Sequence, residues 1–132
     1  MSNKTFIFGH KNPDTDSIVS SIAMSNLRNK LGDNTESCRL GEINKETESA
    51  LKTFHFNAPK LINSVSEGDS VILVDHNEAT QSADNIDKAN IRMVVDHHTM
   101  NFITNTPVYY LAEPVGCTAT IIYKLYKQTM LK

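Results

Sequence analysis

The amino-acid sequence predicts an α/β domain with a parallel, Rossmann-like sheet and helices on both of its faces. Two runs that are wholly or largely apolar, at 71–74 (VILV) and 91–95 (IRMVV), have the pattern of strands that are buried on both sides. Segments with helical spacing of apolar residues alternate with the predicted strands. This alternation is typical of parallel sheets, because a crossover must return the chain to the starting edge before the next parallel strand.

The first half of the chain predicts two strand–helix units. Residues 4–9 and 36–40 are apolar or β-prone enough to form strands. A helix between them is expected to begin at the side-chain oxygens of Asp14 and Thr15, either of which could cap it, and to end before Gly32. Residues 44–55 predict a second helix with Asn44 as its cap. Its inward-facing side chains are expected to be Thr47, Ala50, Leu51 and Phe54.

The second half predicts the two apolar strands, a further strand at residues 108–112 and a last helix at residues 117–131. This helix carries no stop signal, and the sequence ends one residue after Leu131. A natural domain rarely ends in this way, so we expect the chain to be truncated.

Composition favours a soluble globular protein. The chain has 132 residues, of which 39% are hydrophobic and 21% charged, and its net charge is −2. The chain has no excess of positive charge. Its composition therefore does not favour a nucleic acid or an anionic membrane as the partner. Cys38 and Cys117 fit no zinc-binding spacing and are interpreted as buried thiols in a reducing compartment. The N-terminal apolar run is too short for a signal peptide, so a cytoplasmic location is expected.

Three polar clusters follow directly on predicted strands, at residues 10–16 (HKNPDTD), 75–78 (DHNE) and 96–98 (DHH). The carboxyl ends of parallel strands meet at one edge, where ligands of open α/β sheets bind. Several carboxylates together with several imidazoles predict a metal site, and this donor mixture suits manganese, iron, cobalt or zinc. The donors exceed the needs of one ion, which favours a two-metal site for phosphoryl transfer.

Each cluster also has a simpler structural interpretation. The first could be a helix-capping loop that happens to contain a histidine, and Asp75 could be a turn residue at a strand end. His97 and His98 could be one surface and one packed histidine. Because all three clusters follow predicted buried strands, the metal site is the favoured interpretation.

Four motifs in this order resemble family II inorganic pyrophosphatases, the manganese-dependent members of the DHH phosphoesterase superfamily. They are residues 9–17 (GHKNPDTDS), 74–78 (VDHNE), 96–98 (DHH) and 113–120 (EPVGCTAT). The resemblance implies that residues 1–132 are an incomplete N-terminal DHH metal-binding domain. A further aspartate ligand, and a second domain that closes over the substrate, would lie beyond the last residue.

The resemblance also implies a role for each motif residue that could bind metal. His10 and Asp14 would bind the first ion, and Asp16 and His97 the second. Asp75 would bridge the two ions. The expected metal is Mn²⁺, two ions in each site, with Co²⁺ as an alternative and Mg²⁺ carried by the substrate.

The resemblance implies other roles than metal binding for two residues of the DHH motif. His98 would contact the phosphate and act as a general acid, and Asp96 would orient its neighbours. Residues 113–120 are interpreted as the connection from a strand to the last helix. No ligand role is assigned to His76, Asn77 or Glu78.

The implied reaction is hydrolysis of pyrophosphate to two phosphates by a hydroxide that two metals activate. Relatives of this kind are usually cytosolic homodimers that act on pyrophosphate, not on nucleic acid. The chain alone is expected to turn over weakly or not at all. Two alternatives stay open: a DHH phosphodiesterase for short oligonucleotides or cyclic dinucleotides, and a non-catalytic metal-binding fragment.

Overall fold

The structure, a computed structural model, describes residues 4–104 and 106–130. Within these residues a single six-stranded sheet is accompanied by three α-helices and two short 3₁₀ turns. The strands are β1 (Thr5–Phe8), β2 (Thr35–Arg39), β3 (Lys60–Leu61), β4 (Ser70–Val74), β5 (Asn90–Asp96) and β6 (Tyr109–Ala112). The helices are α1 (Thr15–Lys30), α2 (Lys45–Thr53) and α3 (Thr118–Met130), and the 3₁₀ turns are Ala79–Gln81 and Ile86–Lys88.

All neighbouring strands are parallel, and their order across the sheet is β3-β2-β1-β4-β5-β6. The chain moves outward from β1 to β3 and then returns to the other side of β1 with β4. The strand order therefore reverses between β1 and β4, the position at which a crevice forms at the carboxyl edge of such sheets. The predicted parallel α/β fold is confirmed.

The sheet buries an apolar layer on each face. On one face Ile72 and Val74 of β4 pack against α1 and α3, and α2 packs against α1. On the other face Val71 and Leu73 of β4 lie beneath the 3₁₀ turns and the following loops, including Ile86. The fully buried apolar run of β4 thus serves both faces. The sequence predicts helices on both faces, whereas this second face is covered by short 3₁₀ turns and loops.

The helix starts agree with the capping oxygens in the sequence. Asp14 caps α1 and Asn44 caps α2, each by accepting a hydrogen bond from a backbone N–H three residues ahead. Leu51 of α2 is buried as expected. Phe54 was expected to face inward and is 68% exposed, because α2 ends at Thr53 and Phe54 lies outside the helix.

The last helix begins at Thr118, one residue after the predicted start. Its predicted end at Leu131 lies outside the described residues. In the part of the chain that the structure describes, no helix has the length and apolar character to cross a membrane.

The two cysteines differ in environment. Cys38 is buried in β2, and burial raises the pKa of its thiol to about 12, which makes it unreactive. Cys117 was expected to be buried and is partly exposed, because it lies before the first turn of α3.

Candidate metal centre

The three polar clusters meet at the carboxyl edge of the sheet, because β1, β4 and β5 are neighbours. They surround an open cavity of about 440 Å³. His10, Asp75, Glu78 and His98 are among the side chains that line it. The crevice that the sequence predicts is therefore present, and it contains side chains from all three clusters.

Asp75 lies at the centre of this crevice. It follows β4 with a left-handed backbone, φ 59°, and its side chain is only 2% exposed. Its Oδ2 lies 3.3 Å from Nε2 of His10, and its Oδ1 lies 3.0 Å from Nε2 of His97. One carboxylate thus faces two histidines from two different strands, each with its own oxygen.

Two hydroxyl groups hold the carboxylate of Asp75 in this orientation. Ser17 Oγ donates a hydrogen bond to Oδ2 at 2.9 Å, and Thr118 Oγ1 donates one to Oδ1 at 3.2 Å. Ser17 can approach because residue 9 is glycine: a Cβ there would lie 2.5 Å from Ser17 Oγ. Each oxygen accepts one buried hydroxyl and faces one histidine.

Two sets of possible metal ligands share Asp75. In each set the donor atoms lie within 4.8 Å of one another. The first set is His10, Asp14 and Asp75, and the second is Asp75, Asp96, His97 and His98. A shared carboxylate between two donor sets is the arrangement that a two-metal site requires.

The two histidines that face Asp75 are oriented by backbone carbonyls. Nδ1 of His10 donates to the carbonyl oxygen of Lys11 at 2.6 Å, and Nδ1 of His97 donates to that of Val115 at 3.1 Å. Since a carbonyl oxygen only accepts, the proton of each neutral ring lies on Nδ1. When such a ring is neutral, the lone pair on Nε2 is available on the side of the carboxylates, as a metal-binding histidine requires.

Asp16 reaches the same centre from the first turn of α1. Its Oδ2 lies 3.8 Å from Nε2 of His97. Its two oxygens also accept the backbone N–H groups of Thr118, at 2.9 Å, and Ala119, at 3.0 Å. The segment at the start of α3 therefore holds Asp16 and Asp75 together. Asp16 belongs to neither of the two ligand sets above.

The charges in this crevice affect one another strongly. The hydrogen bond with Asp75 raises the pKa of His10 to about 9, against an opposing effect of burial. Burial by itself raises the pKa of Asp75, but hydrogen bonds from His10 and Ser17 outweigh it and hold this pKa below its usual range. Burial raises the pKa of Asp16, although the N–H of Thr118 opposes the change. A cation would stabilise all of these carboxylates in their charged form.

Asp96 is completely buried and faces the DHH loop. Its Oδ1 accepts hydrogen bonds from the backbone N–H of His97, at 2.8 Å, and from Nδ1 of His98, at 2.6 Å. Its Oδ2 accepts the side-chain amide of Asn77 at 2.8 Å. Both oxygens are thus occupied by protein donors, an environment suited to orienting neighbouring residues. His98 is half exposed and lines the cavity.

His76 is the histidine of the second cluster that stands away from the ligands. It is 4% exposed, and its two ring nitrogens lie 2.9 Å from the carbonyl oxygen of Val74 and 2.9 Å from Ser82 Oγ. Burial lowers its pKa to about 4, so the ring is neutral near pH 7. With both nitrogens bound inside the protein, His76 has no lone pair for a metal.

The residues present fit a pair of divalent ions of the manganese type. Imidazole nitrogens and carboxylate oxygens converge from three loops, and Asp75 belongs to both sets of possible ligands. Backbone carbonyls orient two of the imidazoles, as they do at metal sites. Among the residues that hold this centre, the sequence interpretation missed Ser17, Asn77 and Thr118.

Sequence comparison places the chain in a known class. The family model described as the DHH family, N-terminal domain, matches residues 4–132. The chain therefore belongs to the DHH family.

The curated relatives that it resembles are longer proteins. A probable manganese-dependent inorganic pyrophosphatase of Oceanobacillus iheyensis is 60% identical over 126 residues, which are 95% of this chain and 41% of the relative. One of the same name from Bacillus licheniformis is 59% identical over 128 residues, 96% of this chain and 41% of the relative. The chain thus spans about two fifths of the length of these relatives. The resemblance to manganese-dependent pyrophosphatases is confirmed.

Solved structures agree with the fold. A crystal structure from Methanococcus jannaschii, assigned to the family II inorganic pyrophosphatases, is 41% identical and superposes with a TM-score of 0.86. The match covers 96% of this chain and 39% of the other. An exopolyphosphatase-related protein of Bacteroides fragilis superposes with a TM-score of 0.62 at 14% identity, covering 96% of this chain and 40% of the other, and shares the fold alone.

Proposed function

We propose that this chain supplies the metal-holding part of a manganese-dependent inorganic pyrophosphatase, a hydrolase that cleaves pyrophosphate to two phosphates. The observation that carries the proposal is Asp75, whose two oxygens face His10 and His97 at 3.3 Å and 3.0 Å. The names of relatives at about 60% identity supply the substrate and the metal.

His10 and Asp14 are the proposed ligands of one ion, Asp16 and His97 those of the other, and Asp75 is the bridge. Two observations support this assignment of ligands to the two ions. Asp75 lies close to both His10 and His97, and Nε2 of His10 lies 3.7 Å from Oδ1 of Asp14. Mixed imidazole and carboxylate donors suit Mn²⁺ and also Co²⁺, whereas Mg²⁺, which prefers oxygen, would arrive with the pyrophosphate. When bound, the two ions supply acidification of water and neutralisation of the charge that develops on the phosphoryl oxygens.

His98 is the proposed general acid. Its Nδ1 is bound to Asp96 at 2.6 Å, so the ring is fixed and its Nε2 is directed away from this carboxylate. The ring lines the same cavity as His10 and Asp75, where the substrate would lie. With both ring nitrogens protonated, His98 would give its Nε2 proton to the oxygen of the leaving phosphate as the bridging P–O bond breaks, and would keep the Nδ1 proton that binds Asp96.

Several properties concern the whole protein. The relatives are more than twice as long as this chain, which supports a second part that closes over the substrate. The resemblance further supports a homodimer in the cytoplasm. The names of the relatives support pyrophosphate as the substrate, and a net charge of −2 gives no excess of basic residues for nucleic acid.

The test joins this chain to the part of the Oceanobacillus iheyensis relative that lies beyond the match. Phosphate release from pyrophosphate with Mn²⁺ is measured for this chimera, for its Asp75→Asn variant and for the 132-residue chain alone. We expect turnover by the chimera and a loss of at least about 100-fold in the other two proteins.

A chimera that folds and binds Mn²⁺ but does not hydrolyse pyrophosphate contradicts the proposal. Release of mononucleotides from short oligonucleotides or cyclic dinucleotides by the same chimera would instead assign it to the phosphodiesterases. Full turnover by the chain alone would show that no second part is needed.

A further inference from the structure

Asn77 lies at the end of the second cluster, two residues after Asp75, and is buried with 4% exposure. Its side-chain amide makes three hydrogen bonds, one to the last residue of β5 and two to the loop that follows. Nδ2 donates to Oδ2 of Asp96 at 2.8 Å and to the carbonyl oxygen of Thr99 at 3.0 Å. Oδ1 accepts the backbone N–H of Asn101 at 2.6 Å. One amide therefore binds the chain on both sides of His98.

We propose that Asn77 is a positioning residue that fixes the orientation of the His98 ring through Asp96. This inference rests on the proposed function, in which His98 acts on the substrate. The connection runs from the amide of Asn77 to one oxygen of Asp96, and from the other oxygen of Asp96 to Nδ1 of His98.

The burial of Asp96 makes this connection necessary. A completely buried carboxylate must have its lone pairs satisfied by protein donors, because a buried polar oxygen without a hydrogen bond strongly destabilises the fold. The donors to its Oδ1 are His98 Nδ1 and the N–H of His97, and the donor to Oδ2 is Asn77. Without Asn77, the carboxylate loses the group that fixes its rotation, and His98 loses a fixed partner.

Asn77 also fixes the loop that follows His98. Thr99 and Asn101 are exposed residues, so burial of their own side chains does not hold this segment. The bonds of Asn77 to Asp96 and to the carbonyl oxygen of Thr99 close a ring that contains His98, and the N–H of Asn101 extends this attachment along the loop. The amide is needed because this position must donate twice and accept once, which neither a carboxylate nor an aliphatic side chain can do.

The test uses the chimera described above and the variants Asn77→Asp and Asn77→Ser. Asn77→Asp keeps the size and the acceptor for Asn101 but places a carboxylate against Asp96. Asn77→Ser replaces the amide with a small polar side chain, and it decides between the outcomes if the first variant does not fold. Ser82→Ala is the matched control, because it removes a buried hydrogen bond of His76 that does not reach Asp96.

Two measurements separate positioning from general stability. The first is the ¹⁵N spectrum of the histidine rings without metal, which reports the hydrogen bond at Nδ1 of His98. The second is kcat for pyrophosphate beside the dissociation constant of Mn²⁺. For the Asn77 variants we expect a changed Nδ1 signal of His98, a kcat lower by about 100-fold and Mn²⁺ affinity within about threefold. Ser82→Ala should leave the His98 signal and kcat unchanged.

An unchanged His98 signal in a folded Asn77 variant overturns the inference. A parallel loss of Mn²⁺ affinity and kcat also overturns it, because that result shows collapse of the whole centre. If the unmodified chimera fails to hydrolyse pyrophosphate while the His98 signal still depends on Asn77, the proposed function fails and the positioning of His98 stands.

Discussion

Thr118, the first residue of α3, donates a hydrogen bond from Oγ1 to Oδ1 of Asp75 at a distance of 3.2 Å. Thr118 is completely buried, and its backbone N–H binds Asp16 at 2.9 Å. A single residue from the last helix thus contacts two of the proposed metal ligands. The start of α3 is part of the candidate metal centre, although the sequence motif there was interpreted as a connection.

The first prediction concerns the hydroxyl of Thr118. We expect Thr118→Val to weaken Mn²⁺ binding by about tenfold, because residues that orient metal ligands typically contribute about 10- to 100-fold to affinity. Thr118→Ser keeps the hydroxyl and should bind Mn²⁺ nearly as the unmodified chain does. Titration followed by electron paramagnetic resonance of free Mn²⁺ measures both. Equal affinity in the two variants would show that the hydroxyl does not matter.

The second prediction concerns how many ions each carboxylate holds. Asp14→Asn and Asp16→Asn should each weaken one ion, whereas Asp75→Asn should weaken both, since Asp75 faces both histidines. The number of Mn²⁺ ions per chain, from equilibrium dialysis and elemental analysis, checks this pattern. Asp84→Asn is a surface control outside the centre. Retention of one tightly bound ion by Asp75→Asn would contradict the bridge.

The third prediction concerns protons released by the metal. The pKa of His10 is raised from 6.5 to about 9, so the metal-free ring is protonated near neutral pH and must lose this proton when a metal binds. Mn²⁺ affinity should therefore rise with pH and level off above about pH 9. Calorimetry in two buffers with different ionisation enthalpies measures the proton count. Affinity that is constant between pH 6.5 and about 9 would rule out His10 as a ligand.

How far the sequence predicts this molecule depends on how local each signal is. The apolar run of β4 and the capping oxygen of Asp14 are local, and both elements form as predicted. The strand Lys60–Leu61 has two exposed residues at the sheet edge and no apolar run, so no pattern indicates it. The turns at Ala79–Gln81 and Ile86–Lys88 are single turns, too short for helical periodicity.

The candidate metal centre likewise contains residues that a local pattern indicates and residues that it does not. Histidines and aspartates after buried strands indicate a metal site because their chemistry is unusual in those places. Ser17, Asn77 and Thr118 are ordinary polar residues, and their roles arise from contacts with residues 58, 19 and 43 positions away along the chain. No local sequence pattern predicts contacts between residues so far apart in the chain. Gly9 indicates the close approach of Ser17 only once the fold is known.

The fourth prediction concerns stability far from the metal centre. Asp33 accepts hydrogen bonds from Arg28 at 3.0 Å and from Arg92 at 3.3 Å. Burial alone raises the pKa of Asp33, but Arg92, the N–H of Asn34 and Arg28 outweigh burial and lower it. Because the folded pKa lies below the unfolded value of 3.8, this group stabilises the fold above that pH and less as the pH falls further.

We therefore expect Asp33→Asn to lower the free energy of unfolding at neutral pH by about 1–2 kcal/mol. The difference from the unmodified chain should shrink when the pH falls below about 3.8. Urea unfolding at several pH values measures it, with Asp87→Asn, an exposed residue, as the control. A difference that is the same at acidic and neutral pH would show that the charge of Asp33 is not responsible.

Position 75 must meet two separate requirements. Its positive φ, 59°, restricts which residues the backbone accepts, and metal binding requires a carboxylate at the right distance. The backbone tolerates glycine, asparagine and aspartate there but disfavours most other side chains. Glutamate would offer the same charge but would meet this backbone penalty and carry its carboxylate one carbon further. A library randomised at position 75 and selected for folding should thus return these three residue types, and one selected for metal should return aspartate alone.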